Sequence, residues 1–439
     1  EWGADGTQDW LVDARGEPLV RSDWDSTRDQ LVVLARRKGA WTEIHRLPKD
    51  AMLTLVGLSA DGGAALAIGA AGEERSKLWS IALDGSGATV LAEDPGHDVE
   101  SVILDPYDRR AVGVVVGSLP ETRRWLDPQT AALRARLAQA FPGRTVAVGG
   151  RSRDGQRLLV GVSSPAHAPV HYLVDLANRT ADVVGETYPA LVDVPLGEVR
   201  AISYAARDGT EIPALLTIPP GTDGRNLPLV VMPHGGPEAR DTYAFDWWVQ
   251  FLATRGYAVL QPAFRGTRGY GLAHEQAGHR QWGLAMQDDL NDGVKHLAQR
   301  GIADPRRACV MGASYGGYAA LMGVARDPGF WRCAISYAGV TDLIEMSTAT
   351  YSDTAGWRGR DDWMRKHVGD PDTERDKLRS LSPVHLADRI REPVLLAAGA
   401  EDRRVPLEGI VRMRDALRKH GVPHEWVMYD REIHGFSMD

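Results

Sequence analysis

Over the first 190 residues, apolar side chains fall in short alternating runs cut by Asp-Gly and Pro turns. Residues 30–35, 64–69, 78–83, 111–116, 157–162 and 170–176 each read as a β-strand. Asp61-Gly62 precedes one run, residues 105–110 another and Asp154-Gly155 a third. The intervals are 44 residues (61 to 105) and 49 residues (105 to 154). A period in the forties with several strands per unit predicts propeller blades, and about four units fit before residue 190. Two units echo each other closely. Ser59-Ala60-Asp61-Gly62 followed by the run 78–84 matches Ser152-Arg153-Asp154-Gly155 followed by 171–175. A 3.6-residue period over 130–140 predicts a helix inserted in the array.

From about residue 195 the pattern changes. Continuous apolar strand-like runs alternate with longer helical ones, which predicts a mostly parallel sheet flanked by helices. Strands are expected at 229–232, 258–262, 309–312, 334–337, 394–398 and 425–429. Helices are expected at 247–255, 287–300, 318–326 and 407–420, the last closed by Gly421. Residues 189–197 form the joint. The expected fold is α/β: an α/β-hydrolase domain over 195–439, preceded by an all-β, incomplete propeller over 1–190.

The sharpest chemical signal is Gly312-Ala313-Ser314-Tyr315-Gly316-Gly317 between a predicted strand and a predicted helix. Gly-x-Ser-x-Gly in that setting is a nucleophile elbow, a tight turn that lifts a serine hydroxyl above the sheet. A serine needs a base, and the base needs an acid to orient it. In chain order Ser, acid, His, the candidates are Ser314, Asp402 and His434, each just after a predicted strand. Rival acids are Asp342 and Asp370; rival histidines are His385, His420 and His424. His234-Gly235-Gly236-Pro237 follows the strand 229–232. Its Gly236 N–H, with the N–H of Tyr315, forms a candidate oxyanion hole.

Other motifs carry less. His274 and His279 are five residues apart, so they would not share a helix face as zinc ligands, and no metal site is expected. The run 265–271 is glycine-rich but lacks the spacing of a nucleotide-binding turn, so no cofactor is expected. Trp247-Trp248 follows the oxyanion loop closely enough to line a pocket.

Composition excludes several classes. The 439-residue chain has 51 Lys+Arg against 59 Asp+Glu, a net charge of −8 with no basic stripe, which argues against nucleic acid as a ligand. No apolar run approaches the roughly 18 residues of a membrane helix. Two cysteines, Cys309 and Cys333, make neither a zinc site nor a disulfide framework. They are expected as separate small core residues, which fits a reducing, cytoplasmic compartment. The sequence starts at Glu1 and stops at Asp439, so it reads as a fragment or trimmed chain. A periplasmic or secreted location therefore stays open, as does homo-oligomerisation.

Taken together, His234–Pro237, the run 264–271, Gly312–Tyr318, the run 402–406 and His434-Gly435-Phe436 resemble the prolyl oligopeptidase family of serine peptidases. The acylaminoacyl-peptidase and dipeptidyl-aminopeptidase-like branch is the most similar. The resemblance spans about 195–439. It implies hydrolysis of short peptides near the N-terminus, without a cofactor. It implies Ser314 as nucleophile, His434 as base, Asp402 as orienting acid, Gly236 and Tyr315 amides as oxyanion hole, and Val405 beside the substrate pocket. Family members usually have seven blades and a helix after the histidine, and this chain has neither. Two rival expectations are a carboxylesterase acting on small esters with the same triad, and a propeller-bearing binding protein without activity.

Overall fold

The computed structural model describes residues 3–435 apart from 5, 14, 50, 108 and 349–359. Phe436 of the quoted motif lies outside the described residues. The chain divides into two compact units. One comprises residues 1–192 with 269–273, the other 193–268 with 274–439.

Among the described residues, the N-terminal unit holds four sheets, each an antiparallel meander in chain order. The first pairs Thr7–Val12, Pro18–Asp25, Gln30–Arg37 and Ala40–Arg46; the second Thr54–Leu58, Ala64–Gly69, Lys77–Ala82 and Ala88–Ala92. The third pairs Val99–Leu104, Ala111–Val116 and Thr122–Trp125; the fourth Thr145–Arg151, Arg157–Ser164, His167–Asp175 and Thr180–Glu186. This is the predicted all-β, propeller-type region. The echo between units has a physical cause. Ser59 Oγ donates to Asp61 Oδ1 at 2.6 Å, and Ala64 N donates back to Ser59 Oγ at 2.9 Å. Ser152, Asp154 and Arg157 repeat this at 2.5 and 2.9 Å. The serine and aspartate thus close the same turn twice. The inserted helix spans Pro128–Ala140. Asp127 caps it, accepting Thr130 N at 2.7 Å, and a proline opens it.

The C-terminal unit is built on one sheet with, among the described residues, eight strands. In chain order they are β1 (Glu198–Ala205), β2 (Glu211–Ile218), β3 (Leu227–Val231), β4 (Ala258–Pro262), β5 (Ala303–Ala313), β6 (Cys333–Tyr337), β7 (Val394–Gly399) and β8 (His424–Tyr429). Their order across the sheet is β1-β2-β4-β3-β5-β6-β7-β8. β1/β2 and β2/β4 are antiparallel, and every later pair is parallel. Side-chain alternation along β3 explains the layers. Leu229 and Val231 join the main core with residues of the helices α2 (Ala285–Gln299) and α3 (Tyr315–Arg326). Val230 joins a second cluster with Val249 and Leu252 of α1 (Trp247–Ala253). Both faces are covered, so the central strands read as continuous apolar runs rather than alternating ones. Further along the chain lie the helices α4 (Arg360–His367) and α5 (Leu407–Lys419).

One expectation is overturned. Cys309 on β5 and Cys333 on β6 are register partners, with Cα atoms 4.8 Å apart, and they form a disulfide. Strand pairing brings them together across a 24-residue separation that no local pattern reveals. The reducing-compartment reading rested on two separate thiols, and the bond removes that ground. No helix among the described residues is long and apolar enough to cross a membrane.

Candidate functional site

The site lies at the carboxyl ends of β3, β5, β6 and β7, where parallel sheets place their ligands. Ser314 follows β5 directly and has φ 58° and ψ −119°. A non-glycine residue there is strained, and its surroundings must hold it. Its N–H donates to the Tyr337 carbonyl at the end of β6 (3.0 Å), and its own carbonyl accepts Tyr318 N–H as α3 begins (3.0 Å). The flanking glycines are required by close approach. A Cβ on Gly312 would lie 2.5 Å from the Gly316 carbonyl carbon, and one on Gly316 would lie 2.1 Å from the Pro233 oxygen. The second clash shows how tightly the elbow sits against the chain leaving β3.

That chain is the His234–Pro237 loop. It passes over the serine: a Cβ on Gly235 would lie 3.5 Å from Ser314 Cβ. Gly236 has φ +115°, and a Cβ there would press 2.6 Å from Ala239 N. Only glycine relaxes into this position. His234 supports the loop from behind. Its Nδ1 lies 2.8 Å from the Gly235 carbonyl, its Nε2 2.9 Å from Thr267 Oγ1, and its ring stacks on Phe264 at 4.5 Å. Burial pushes its pKa down to about 4, so the ring is neutral at pH 7.

His434 and Asp402 meet in the loops after β8 and β7. His434 Nδ1 lies 2.7 Å from Asp402 Oδ2, and the Asp402 side chain is fully buried. Asp402 Oδ1 accepts the N–H groups of Arg404 (2.8 Å) and Val405 (2.9 Å). Three donors therefore satisfy a buried carboxylate. Accepting from Nδ1 leaves His434 Nε2 as the free lone pair. Backbone joins the two loops as well. Ala400 N donates to the Tyr429 carbonyl (2.9 Å) and Glu401 N to the Glu432 carbonyl (3.0 Å). A Cβ on Gly399 would strike that same carbonyl at 2.3 Å.

Ser314, His434 and Gly236 line one cavity of about 400 Å³ with Gly235, Ala313, Tyr337, Ala338 and Arg404. Tyr337 is held by Trp248, edge-on at 6.3 Å. Burial, then the charges of Glu432 and Asp402, push its hydroxyl up to about 12, so it stays neutral. Tyr315 opens α3 with its side chain buried. Val405 lies at the edge of the main core and Trp247 is 46% exposed; neither lines the cavity. The rivals are occupied elsewhere. Asp342 accepts Ile344 N (2.9 Å) and faces His385 at 3.3 Å; Asp370 accepts Asp372 N (2.9 Å). His424 contacts the Val422 carbonyl (2.8 Å), and His420 caps α5. His274 lies in a short helix, Leu272–Gln276, which ends before His279. Among the described residues, no cluster has the makings of a metal site.

Sequence reasoning missed Tyr337, Arg404 and Thr267. Arg404 and Thr267 sit inside motifs already singled out, so a signal existed. Tyr337 had none, because its role depends on β6 lying beside β5.

The chain matches the sequence profile of the prolyl oligopeptidase family over residues 243–439. It is 31% identical over 410 residues to a dipeptidyl aminopeptidase BIII of Pseudoxanthomonas mexicana, covering 91% of this chain and 59% of that one. It is 27% identical over 251 residues to the acylamino-acid-releasing enzyme of Mus musculus, covering 55% and 33% respectively. The chain thus spans about three fifths of the first of these relatives and a third of the second. A solved puromycin-hydrolyzing peptidase of Mycobacterium tuberculosis shares the fold, with a TM-score of 0.78 at 23% identity, covering 99% of this chain and 67% of that one.

Proposed function

We propose, for a chain whose residues 243–439 belong to the prolyl oligopeptidase family, that it is a serine peptidase cleaving short peptides near their N-terminus through an acyl-enzyme. Ser314 Oγ attacks the scissile carbonyl carbon as His434 Nε2 takes its proton. Asp402 holds the other ring nitrogen and stabilises the imidazolium that forms. The carbonyl oxygen becomes an oxyanion and accepts the N–H groups of Gly236 and Tyr315. Collapse breaks the C–N bond, and His434 returns the proton to the leaving amine. Water then attacks the ester by the same route and frees Ser314.

The observation that carries this reading is the 2.7 Å contact between a fully buried Asp402 carboxylate and a His434 ring that borders the same cavity as Ser314. Such an arrangement fixes the tautomer that a general base requires. Cleavage near the N-terminus is supported by the names of the relatives, a dipeptidyl aminopeptidase and an acylamino-acid-releasing enzyme. A mixed library of short peptides, read by mass, tests the proposal. The expected products are single residues or dipeptides released from the N-terminal side, with anilides of such units turned over as well. Turnover of short-chain nitrophenyl esters without any peptide or anilide cleavage would make the protein an esterase. No turnover of either would favour a binding role.

A further inference from the structure

We infer that the ion pair between Glu238 and His367 is a positioning element of the active site, closing a circuit of contacts that fixes the spacing of the Gly236 and Tyr315 amides. The inference rests on the preceding reading, in which those two N–H groups receive the oxyanion.

The two amides come from distant parts of the chain. One lies in an irregular loop after β3, the other at the first residue of α3. Both must aim at one oxygen, and a displacement of about 1 Å can cost on the order of 100-fold in rate. At the front, the loop and the elbow touch at Gly235, where a Cβ would lie 3.4 Å from the Ala313 carbonyl. At the back, a second connection runs through side chains. Glu238, two residues after Gly236, places Oε1 2.9 Å from His367 Nδ1 at the end of α4. Both side chains are nearly closed off from solvent, so this contact is made inside the fold. Trp363, one turn earlier on α4, stacks on the His367 ring (5.1 Å, 12°). Trp363 meets Trp282 edge-on at 6.4 Å, and Trp282 meets Tyr315 edge-on at 4.6 Å. The path from Gly236 returns to Tyr315.

The chemistry of Glu238 supports a positioning role. Its side chain is only 14% exposed, and that of His367 only 10%. Burial raises the carboxyl pKa, but the contact with His367 and its charge, then Arg268, outweigh this and hold it below the ordinary range. The group is therefore a carboxylate in a nearly closed site. A buried ion pair adds little net stability over an apolar pair of similar size, whereas breaking one partner leaves an uncompensated charge. What it supplies here is a fixed position for the loop that carries Gly236.

The test uses the full chain with Glu238→Gln, His367→Gln and the double variant. It measures kcat and KM on a nitrophenyl ester and the affinity of a peptidyl aldehyde, which binds as an oxyanion mimic. Each single variant is expected to lower kcat and aldehyde affinity together, by roughly 10- to 100-fold, with KM within about twofold. The double variant is expected to lose no more than the worse single one, because both break one link. If a charge variant does not fold, Trp363→Leu cuts the same circuit and must give the same signature. Folded variants with parental kcat and aldehyde affinity, or losses confined to KM, overturn the inference. An inactive parent would instead refute the peptidase reading on which it stands.

Discussion

Among the described residues of the N-terminal unit, every hydrogen-bonded strand pair joins neighbours in the chain, and two of the turns between them repeat. In the C-terminal unit, after the β1/β2 hairpin, the sheet is assembled by long crossovers, and β4 lies between β2 and β3. The difference sets where information lies. A meander can be read from alternation and turn residues, because each strand meets the next one along the chain. A crossover sheet brings together side chains whose proximity no local pattern states. Chemistry collects in the second kind of structure, since a site needs groups of different origin at one rim. Structural repetition collects in the first.

Substitutions at the two kinds of place should separate cleanly. The largest effect is expected at Asp402→Asn, which keeps the shape but favours the wrong His434 tautomer. A loss of about 10⁴-fold in kcat is expected, with the melting temperature changing far less. Steady-state kinetics beside a thermal scan measures both, and a loss under tenfold would argue against the assigned pairing. Next is Gly236→Ala, where the new Cβ would press on Ala239 N and force the loop out of its +115° φ. Its cost in kcat should approach that of one oxyanion donor, about 10²- to 10³-fold, with KM nearly constant.

A smaller effect is expected from pH acting on His234. Its folded pKa is about 4 against an ordinary 6.5. Above pH 6.5 the ring is neutral in both states and contributes no pH dependence. Between 6.5 and 4 the unfolded ring binds a proton that the folded one refuses, so stability falls as pH falls. Urea unfolding at pH 7 and pH 5 should show a smaller loss in His234→Gln than in the parent. An equal loss would mean that this ring is not buried in its neutral form. The smallest effect belongs to the repeated turn. Asp61→Ala removes the acceptor of Ser59 Oγ and Gly63 N at an exposed position. A melting temperature lower by roughly a degree or two is expected, with kcat on a small ester unchanged. A large loss of activity there would break the separation between the two regions.

How much of this was legible follows the same line. The strands at 64–69 and 111–116 appear where alternation put them, and the helix at 130–140 begins two residues earlier, where Asp127 and Pro128 start it. Ser314 was legible because its strained turn demands glycines at fixed spacing. His434 and Asp402 were legible only as an order along the chain, with rivals open. What brings their loops together is the registration of β7 beside β8, through Ala400 and Glu401. The pair Glu238–His367 and the disulfide Cys309–Cys333 were not legible at all. Each depends on which distant elements are neighbours, and single-chain periodicity carries no record of that.

If the His434–Asp402 pair activates Ser314 as a nucleophile, the serine should react with an electrophile that needs that activation. Reaction of the folded chain with a fluorophosphonate, followed by digestion and mass mapping, measures this. One stoichiometric adduct is expected on the peptide bearing Ser314, absent in Ser314→Ala and strongly slowed in His434→Gln. A folded parent that stays unlabelled, or an adduct on another residue, would contradict it.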